Sequence, residues 1–265
     1  MSALALRVAG IGLWGPGLSG WPASVPALRS EMAVDLSTLQ KPAPPLLPPA
    51  ERRRAPETVL LAAQAAAEAC AAAGLAPDAL PAVFGSAQGD IAITDYMCET
   101  LANAPLELSP TKFHNSVHNA AVGYWTIATG CRAASTALSA WAETVGASLL
   151  EAALQAHEAQ APVLLCVYDS AAVGPMAESI HHACGYAFAL VLDIDVPGVP
   201  GPRLVVAPAD AAAATEPATA WGRDLRERNS SAASLPLLEA LAGAAERRVR
   251  LAAGPGFMLD VTVRP

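Results

Sequence analysis

Apolar residues fall along this chain in two kinds of run. Short, nearly continuous apolar blocks at 4–12, 82–86, 134–139, 162–169 and 186–193 have the length and continuity of strands buried on both faces. Longer stretches rich in Ala, Leu, Gln and Glu, at 58–73, 91–103, 142–160 and 234–249, have the composition of helices. The helix at 58–73 is the best defined. Pro56 and Glu57 suit its start, and Gly74 is placed to cap its end. A shorter helix is predicted at 120–129, and further strands at 203–207 and 257–263. Strands alternating with helices indicate an α/β layered fold.

Between these elements the punctuation is dense. Gly10, Gly12, Gly15, Gly17 and Gly20 follow the first strand and suggest a glycine-rich loop. Their spacing is not that of a dinucleotide fingerprint, and the matching acidic residue is missing. The run 41–49 contains five prolines and should be an extended surface connection. A Pro/Gly turn is expected at 196–202, and a low-complexity loop at 211–219. No internal repeat is visible.

Composition narrows the class. The chain has 265 residues, 53% of them hydrophobic and 15% charged, which is enough for one large domain with a substantial core. No apolar run approaches a membrane span, and residues 1–8 lack the pattern of a signal peptide. The net charge of −8 disfavours nucleic acid and anionic membrane as partners. A cytoplasmic protein is expected. Alanine-rich helix faces pack closely, which points to an oligomer. The five cysteines form no C-x-x-C pair and read as reduced, mostly buried thiols.

The most specific stretch is 109–130. Ser109-Pro110, then Asn119, Ala120, Ala121, Gly123 and Gly130-x-Arg132 resemble the approach to the nucleophile strand of β-ketoacyl synthases. Val8-Ala9-Gly10-Ile11-Gly12-Leu13 resembles their first strand and turn, and Ala66, Glu68, Ala69 with Ala73-Gly74-Leu75 their first long helix. Residues 183–192 resemble the strand that closes their N-terminal half. The resemblance covers 3–194. It implies a thiolase-like fold: an N-terminal half with a layered α-β-α core, and a reduced remnant at 195–265 in place of a largely deleted C-terminal repeat. Within the family, the chain is most similar to the short chain-length-factor subunits of the aryl polyene type.

Two departures from the family's pattern bear on function. The family's nucleophilic cysteine would fall near Ala142, which cannot form a thioester, and Ser139 falls within the expected strand. The His-Gly-Thr-Gly-Thr and Asn-x-Phe-Gly-Phe-Gly-Gly signatures are also absent, and no histidine follows Asp193. The resemblance therefore implies a subunit without its own catalysis. It would pair with an active synthase as a heterodimer, shape the acyl tunnel in aryl polyene or fatty-acid-type biosynthesis, and meet an acyl carrier protein only through the complex. No cofactor is implied.

Phe113, Val117 and His118 are the candidates for limiting tunnel depth at the interface. Asn119 and Gly123 read as structural, the first satisfying buried backbone groups and the second admitting close helix packing. Trp125 and Trp141 are large apolar side chains suited either to the core or to the interface, and Trp141 could fill space left at Ala142. A metal at His114 and His118 lacks a third ligand, and adjacent His181 and His182 point in different directions. The basic runs 52–54 and 247–248 suit solvated faces or a carrier-protein contact. Two alternatives stay open: an acyltransferase or thioesterase with its own nucleophile, and a folding partner with no tunnel role. Against the first, Gly85-Ser86-Ala87-Gln88-Gly89 carries its serine one place early for a nucleophile elbow.

Overall fold

The computed structural model describes residues 3–38 and 40–265. In chain order the elements are β1 Leu4–Gly15, β2 Leu18–Ser19, α1 Trp21–Leu28, α2 Pro49–Arg54, α3 Glu57–Ala73, β3 Ala82–Gly85, α4 Ile91–Asn103, α5 Pro110–His114, α6 Ala120–Thr129 and β4 Ser135–Leu138. Then follow α7 Thr144–Ala159, β5 Val163–Asp169, β6 Tyr186–Ile194, β7 Arg203–Ala209, α8 Ala220–Arg228, α9 Leu235–Ala242, β8 Arg247–Gly254 and β9 Phe257–Arg264. The strands form one sheet in the order β4-β3-β5-β6-β1-β7-β9-β8, with β2 paired to β1. β3 runs parallel to β4 and β5, whereas β6 is antiparallel to both β5 and β1.

The apolar continuity of the first strands reflects burial on two faces. Val163, Leu165, Val167, Phe188 and Leu190 join one core cluster, and Leu164, Cys166, Tyr168, Ala187 and Ala189 the other. A bulge between Val8 and Gly10 shifts the alternation of β1, so Leu4, Leu6 and Val8 share a face with Ile11 and Leu13. Gly10 and Gly12 then turn towards α3, and a Cβ on them would lie 2.1 Å from Ala69 O and 2.0 Å from Ala65 O. Both glycines lie inside β1, which runs to Gly15, three residues beyond the strand expected over 4–12. They let α3 seat on the sheet through its alanines. Gly74 caps α3 in the left-handed region, as expected, with φ 66°.

Residues 203–264 add three strands to the same sheet. β7 pairs with the start of β1, and β9 and β8 continue the same sheet. These strands alternate. Leu204, Val206, Val249, Leu251, Leu259, Val261 and Val263 enter the core that holds α7. Arg203, Arg248 and Arg264 lie on the other face. The helix expected over 234–249 ends at Ala242. Gly243 stops it, and Arg247, Arg248, Val249, Arg250 and Leu251 alternate as a strand against β9. α1, α2, α5 and α8 were not anticipated.

α7 lies between two walls: β3 and β5 on one side, β8 and β9 on the other. Gly146 makes the second contact possible, since a Cβ there would meet Ala252 O at 2.1 Å. Cys70, Cys131 and Cys166 are buried free thiols, and Cys98 is exposed. Among the described residues no helix is long and apolar enough to cross a membrane.

Candidate functional site

The chain leaves β4 at Leu138 and enters α7 at Thr144 through a tight turn at 139–143. Ala140 has φ −145° and ψ 37°. Trp141 has φ 50°, in the left-handed region. Thr144 closes the turn from both ends, its hydroxyl accepting from Ala140 N at 3.0 Å and donating to Trp141 O at 2.8 Å. The Ser139 hydroxyl donates to Ala87 O at 2.9 Å. Ala142 is exposed and one residue beyond the left-handed position. The turn has the strand-to-helix form of a nucleophile elbow, but its side chains are Ala140, Trp141, Ala142 and Glu143.

α5 and α6 carry the segment that the sequence singles out. Ser109 caps α5, and the polar side chain buried in this segment is Asn115, not Asn119. Asn119 is exposed and caps α6 only through its carbonyl, which accepts from Gly123 N at 2.9 Å. The expectation that Asn119 satisfies buried backbone groups is therefore corrected. Gly123 is not a packing glycine either, since a Cβ there would meet nothing within 4 Å.

The six candidate side chains separate by direction. Phe113 is 59% exposed, Val117 53% and Trp141 69%. Trp125 is 1% exposed, with its ring centroid 6.2 Å from that of Phe84, so it belongs to the core and not to a tunnel wall. Trp141 is not a core residue and fills no space inside the chain. His118 turns inward, its Nε2 3.0 Å from Ser86 O. Val117, Gly123 and Ile127 border an open groove of about 630 Å³ with Leu46, Leu47 and His114. Lys112 lies over the Tyr96 ring, 5.4 Å from its centroid.

Behind this surface lies a buried polar cluster with no counterpart in the sequence reading. Asp169, at the end of β5, is fully buried. Its Oδ1 accepts from Ser86 Oγ at 2.8 Å, Ala87 N at 3.0 Å and Gln88 N at 3.3 Å. Its Oδ2 accepts from Ser231 Oγ at 2.5 Å and Ser230 Oγ at 3.3 Å. Asn229 Nδ2 donates to the carbonyls of Asp169 and Cys184, at 3.0 and 2.8 Å. Burial pushes the Asp169 carboxyl up, and the hydroxyl and amide donors oppose that push.

His182 is buried beside this cluster and accepts from Ser230 N at 3.2 Å, whereas His181 is exposed. Burial holds His182 below the usual histidine range, against the pull of the Asp169 charge. Ser86 is fully buried with its hydroxyl committed to Asp169, so it is not a surface nucleophile. One sequence signal marks the cluster: an aspartate closing the otherwise apolar run Val163-Leu164-Leu165-Cys166-Val167-Tyr168. Such a residue must find donors inside the protein.

A strand-turn-helix elbow on a mixed sheet with helices on both faces is the arrangement of a thiolase-like condensing-enzyme fold. The N-terminal domain profile of the β-ketoacyl synthases matches residues 28–252, and the chain belongs to that family. Its fold matches a chain of the ketosynthase (ApeO) in complex with its chain length factor (ApeC) from Xenorhabdus doucetiae, with a TM-score of 0.71, 22% identity, and 98% of this chain and 99% of that one covered. A chain of a type II polyketide synthase acyl-carrier protein in complex with its ketosynthase (AntDE:AntF) matches with a TM-score of 0.75, 13% identity and 99% of both chains covered. A β-ketoacyl synthase from Burkholderia phymatum STM815 matches with a TM-score of 0.68 and 12% identity, over 98% of this chain and 99% of that one. At these identities the likeness is one of fold. No curated protein matches the chain by sequence.

Proposed function

We propose that this chain is the non-catalytic, chain-length-factor partner of an active β-ketoacyl-carrier-protein synthase. The partner would supply the nucleophile and the histidines. This chain would supply one wall of the acyl tunnel. The observations that carry the reading are an elbow without a nucleophile and the run of exposed apolar side chains in the chain segment that leads to it. Of the ten exposed large apolar side chains among the described residues, six lie between 101 and 141: Leu101, Leu106, Phe113, Val117, Ile127 and Trp141. β4, in the same stretch, is an edge strand with its outer backbone groups unpaired in the sheet. Exposed apolar clusters and open edges are liabilities that a partner removes.

The groove beside α6 is open, so a closed tunnel would need the second subunit. The two likenesses to chains from ketosynthase complexes, one with a chain length factor and one with a carrier protein, support this assignment of partners. A carrier protein would then reach this chain only as part of the complex, and a soluble aryl polyene or fatty-acid-type pathway is the setting.

Co-expression with a full-length synthase that carries an intact cysteine tests the proposal. A stable heterodimer is expected, with no acyl adduct on this chain after incubation with an acyl-loaded carrier protein. A covalent adduct on the isolated protein, read by intact mass, would instead identify an acyltransferase or thioesterase. Substitutions of Phe113 or Val117 that change yield but never product length would favour a folding partner.

A further inference from the structure

We infer that Trp141, not Ala142, occupies the apex of the elbow, and that its indole is a knob held out for insertion into the synthase subunit. This rests on the partner proposed above and names the residue that anchors it.

The backbone carries the argument first. A left-handed φ is unfavourable for any bulky side chain, because Cβ crowds the neighbouring carbonyl. Among the described residues three non-glycine residues have positive φ: Ser30, Trp141 and Gln160. Ser30 and Gln160 follow α1 and α7, at helix C-termini, where this conformation is routine. Trp141 precedes a helix and is by far the largest of the three. Strain of this kind persists only where the surroundings over-determine it. Thr144, bonded to both Ala140 N and Trp141 O, and Glu143 N, bonded to Ala140 O at 2.9 Å, supply that constraint without using the indole.

Most of the side chain stands clear of the chain's own packing. Trp141 is 69% exposed and, among the described residues, its indole N–H has no hydrogen-bond partner and its ring no aromatic neighbour. The fold alone would be served better by glycine at this position. A tryptophan there presents a rigid apolar surface with one donor, the chemistry of an interface anchor. It stands three residues after the open edge strand β4. An indole at the apex also removes any place for a nucleophile there.

The test is Trp141→Gly in the full chain, with Trp141→Phe and Ala142→Gly beside it. Melting followed by circular dichroism should show Trp141→Gly equal to or above the wild type. Its affinity for the co-purified full-length synthase should fall at least tenfold. Trp141→Phe should keep affinity within about threefold, since the aromatic surface survives. Ala142→Gly should bind as the wild type does. If Trp141→Gly melts lower by more than about 3 °C, the indole is a packing residue of this chain and the inference fails. If Trp141→Gly binds the synthase as well as the wild type does, it also fails, while the partner proposal stands. If the wild type binds no synthase, the partner proposal falls and takes this inference with it.

Discussion

Asp169 is the residue whose removal should damage this protein most for its size. Its carboxylate joins three separate pieces of chain: the loop 86–88, the end of β5 and the turn 230–231. In Asp169→Ala, the amides of Ala87 and Gln88 lose an acceptor inside the protein, and each such loss costs about 1–3 kcal/mol. The serine hydroxyls can rotate to other acceptors and add less. Relief of carboxylate desolvation offsets part of the loss, leaving a net destabilisation of about 3–5 kcal/mol. For a chain of this size that is a fall in Tm of roughly 6–20 °C. Asp169→Asn keeps Oδ1 for the loop amides and turns an amide towards Ser230 and Ser231, whose hydroxyls can accept. It should lose only about 1–3 kcal/mol. Urea and thermal unfolding read both variants, and a cycle with Ser86→Ala should give a coupling of at least about 0.5 kcal/mol. Asp169→Ala within about 1 kcal/mol of the wild type would show that the cluster does not hold these segments together.

Three further outcomes follow from the same geometry. Gly12→Ala places a Cβ 2.0 Å from Ala65 O, and the backbone must give way; a loss of several kcal/mol in urea unfolding is expected, because overpacking against main chain costs about 1–3 kcal/mol or more. Trp125→Ala should lose about 3–5 kcal/mol by the same measurement, as truncation of a buried aromatic does, and leave surface properties unchanged. His182 has a depressed value in the folded state, so the unfolded chain binds its proton first as pH falls below about 6.5. Its stabilising contribution is present above that value and is lost as pH falls towards the folded value. Melting at pH 7.5 and pH 5.5 should therefore show a smaller acid-induced drop for His182→Gln than for the wild type, and an equal drop would refute the role.

Much of the architecture is legible in the sequence because burial on both faces writes a continuous apolar code. β5 and β6 are read to within a residue or two for that reason, and α3 because its cap and composition agree. The misreadings have specific causes. The Arg247-Arg248-Val249-Arg250-Leu251 run continues a helical composition, and only its pairing with β9 makes it a strand. Gly10 and Gly12 look like loop residues, because the need for glycine comes from α3, which is remote in sequence. At the site, Phe113 and Val117 are exposed, and Trp125, read from the sequence as suited either to the core or to the interface, is a core residue. Its burial against Phe84 depends on a strand some forty residues earlier. Of the Asp169 cluster only the aspartate closing an apolar run is visible in the sequence; its donors come from loops far apart in the chain.

The placement of α7 explains why the chain would not need the proposed partner for its core. In a helix flanked by one sheet only, one face stays open. Here β8 and β9 continue the sheet from β1 through β7 and close over α7, with Val249, Leu251, Leu259 and Val261 meeting the cluster that holds Val145, Leu149, Ala152 and Ala156. Burying side chains of this kind contributes about 1.5–3 kcal/mol each for the larger ones, so the closure stabilises α7 from within. At the other end of the sheet β4 is an edge strand, followed by the elbow. The proposed partner would cover the edge and the exposed apolar side chains and add nothing to the core. The isolated chain should melt cooperatively yet self-associate, and charge placed at Ile127, 82% exposed, should suppress that self-association in sedimentation experiments without lowering Tm. Loss of the fold on placing Asp or Lys there would mean that α6 is held by that face within the chain, and the division between core and partner surface would have to be redrawn.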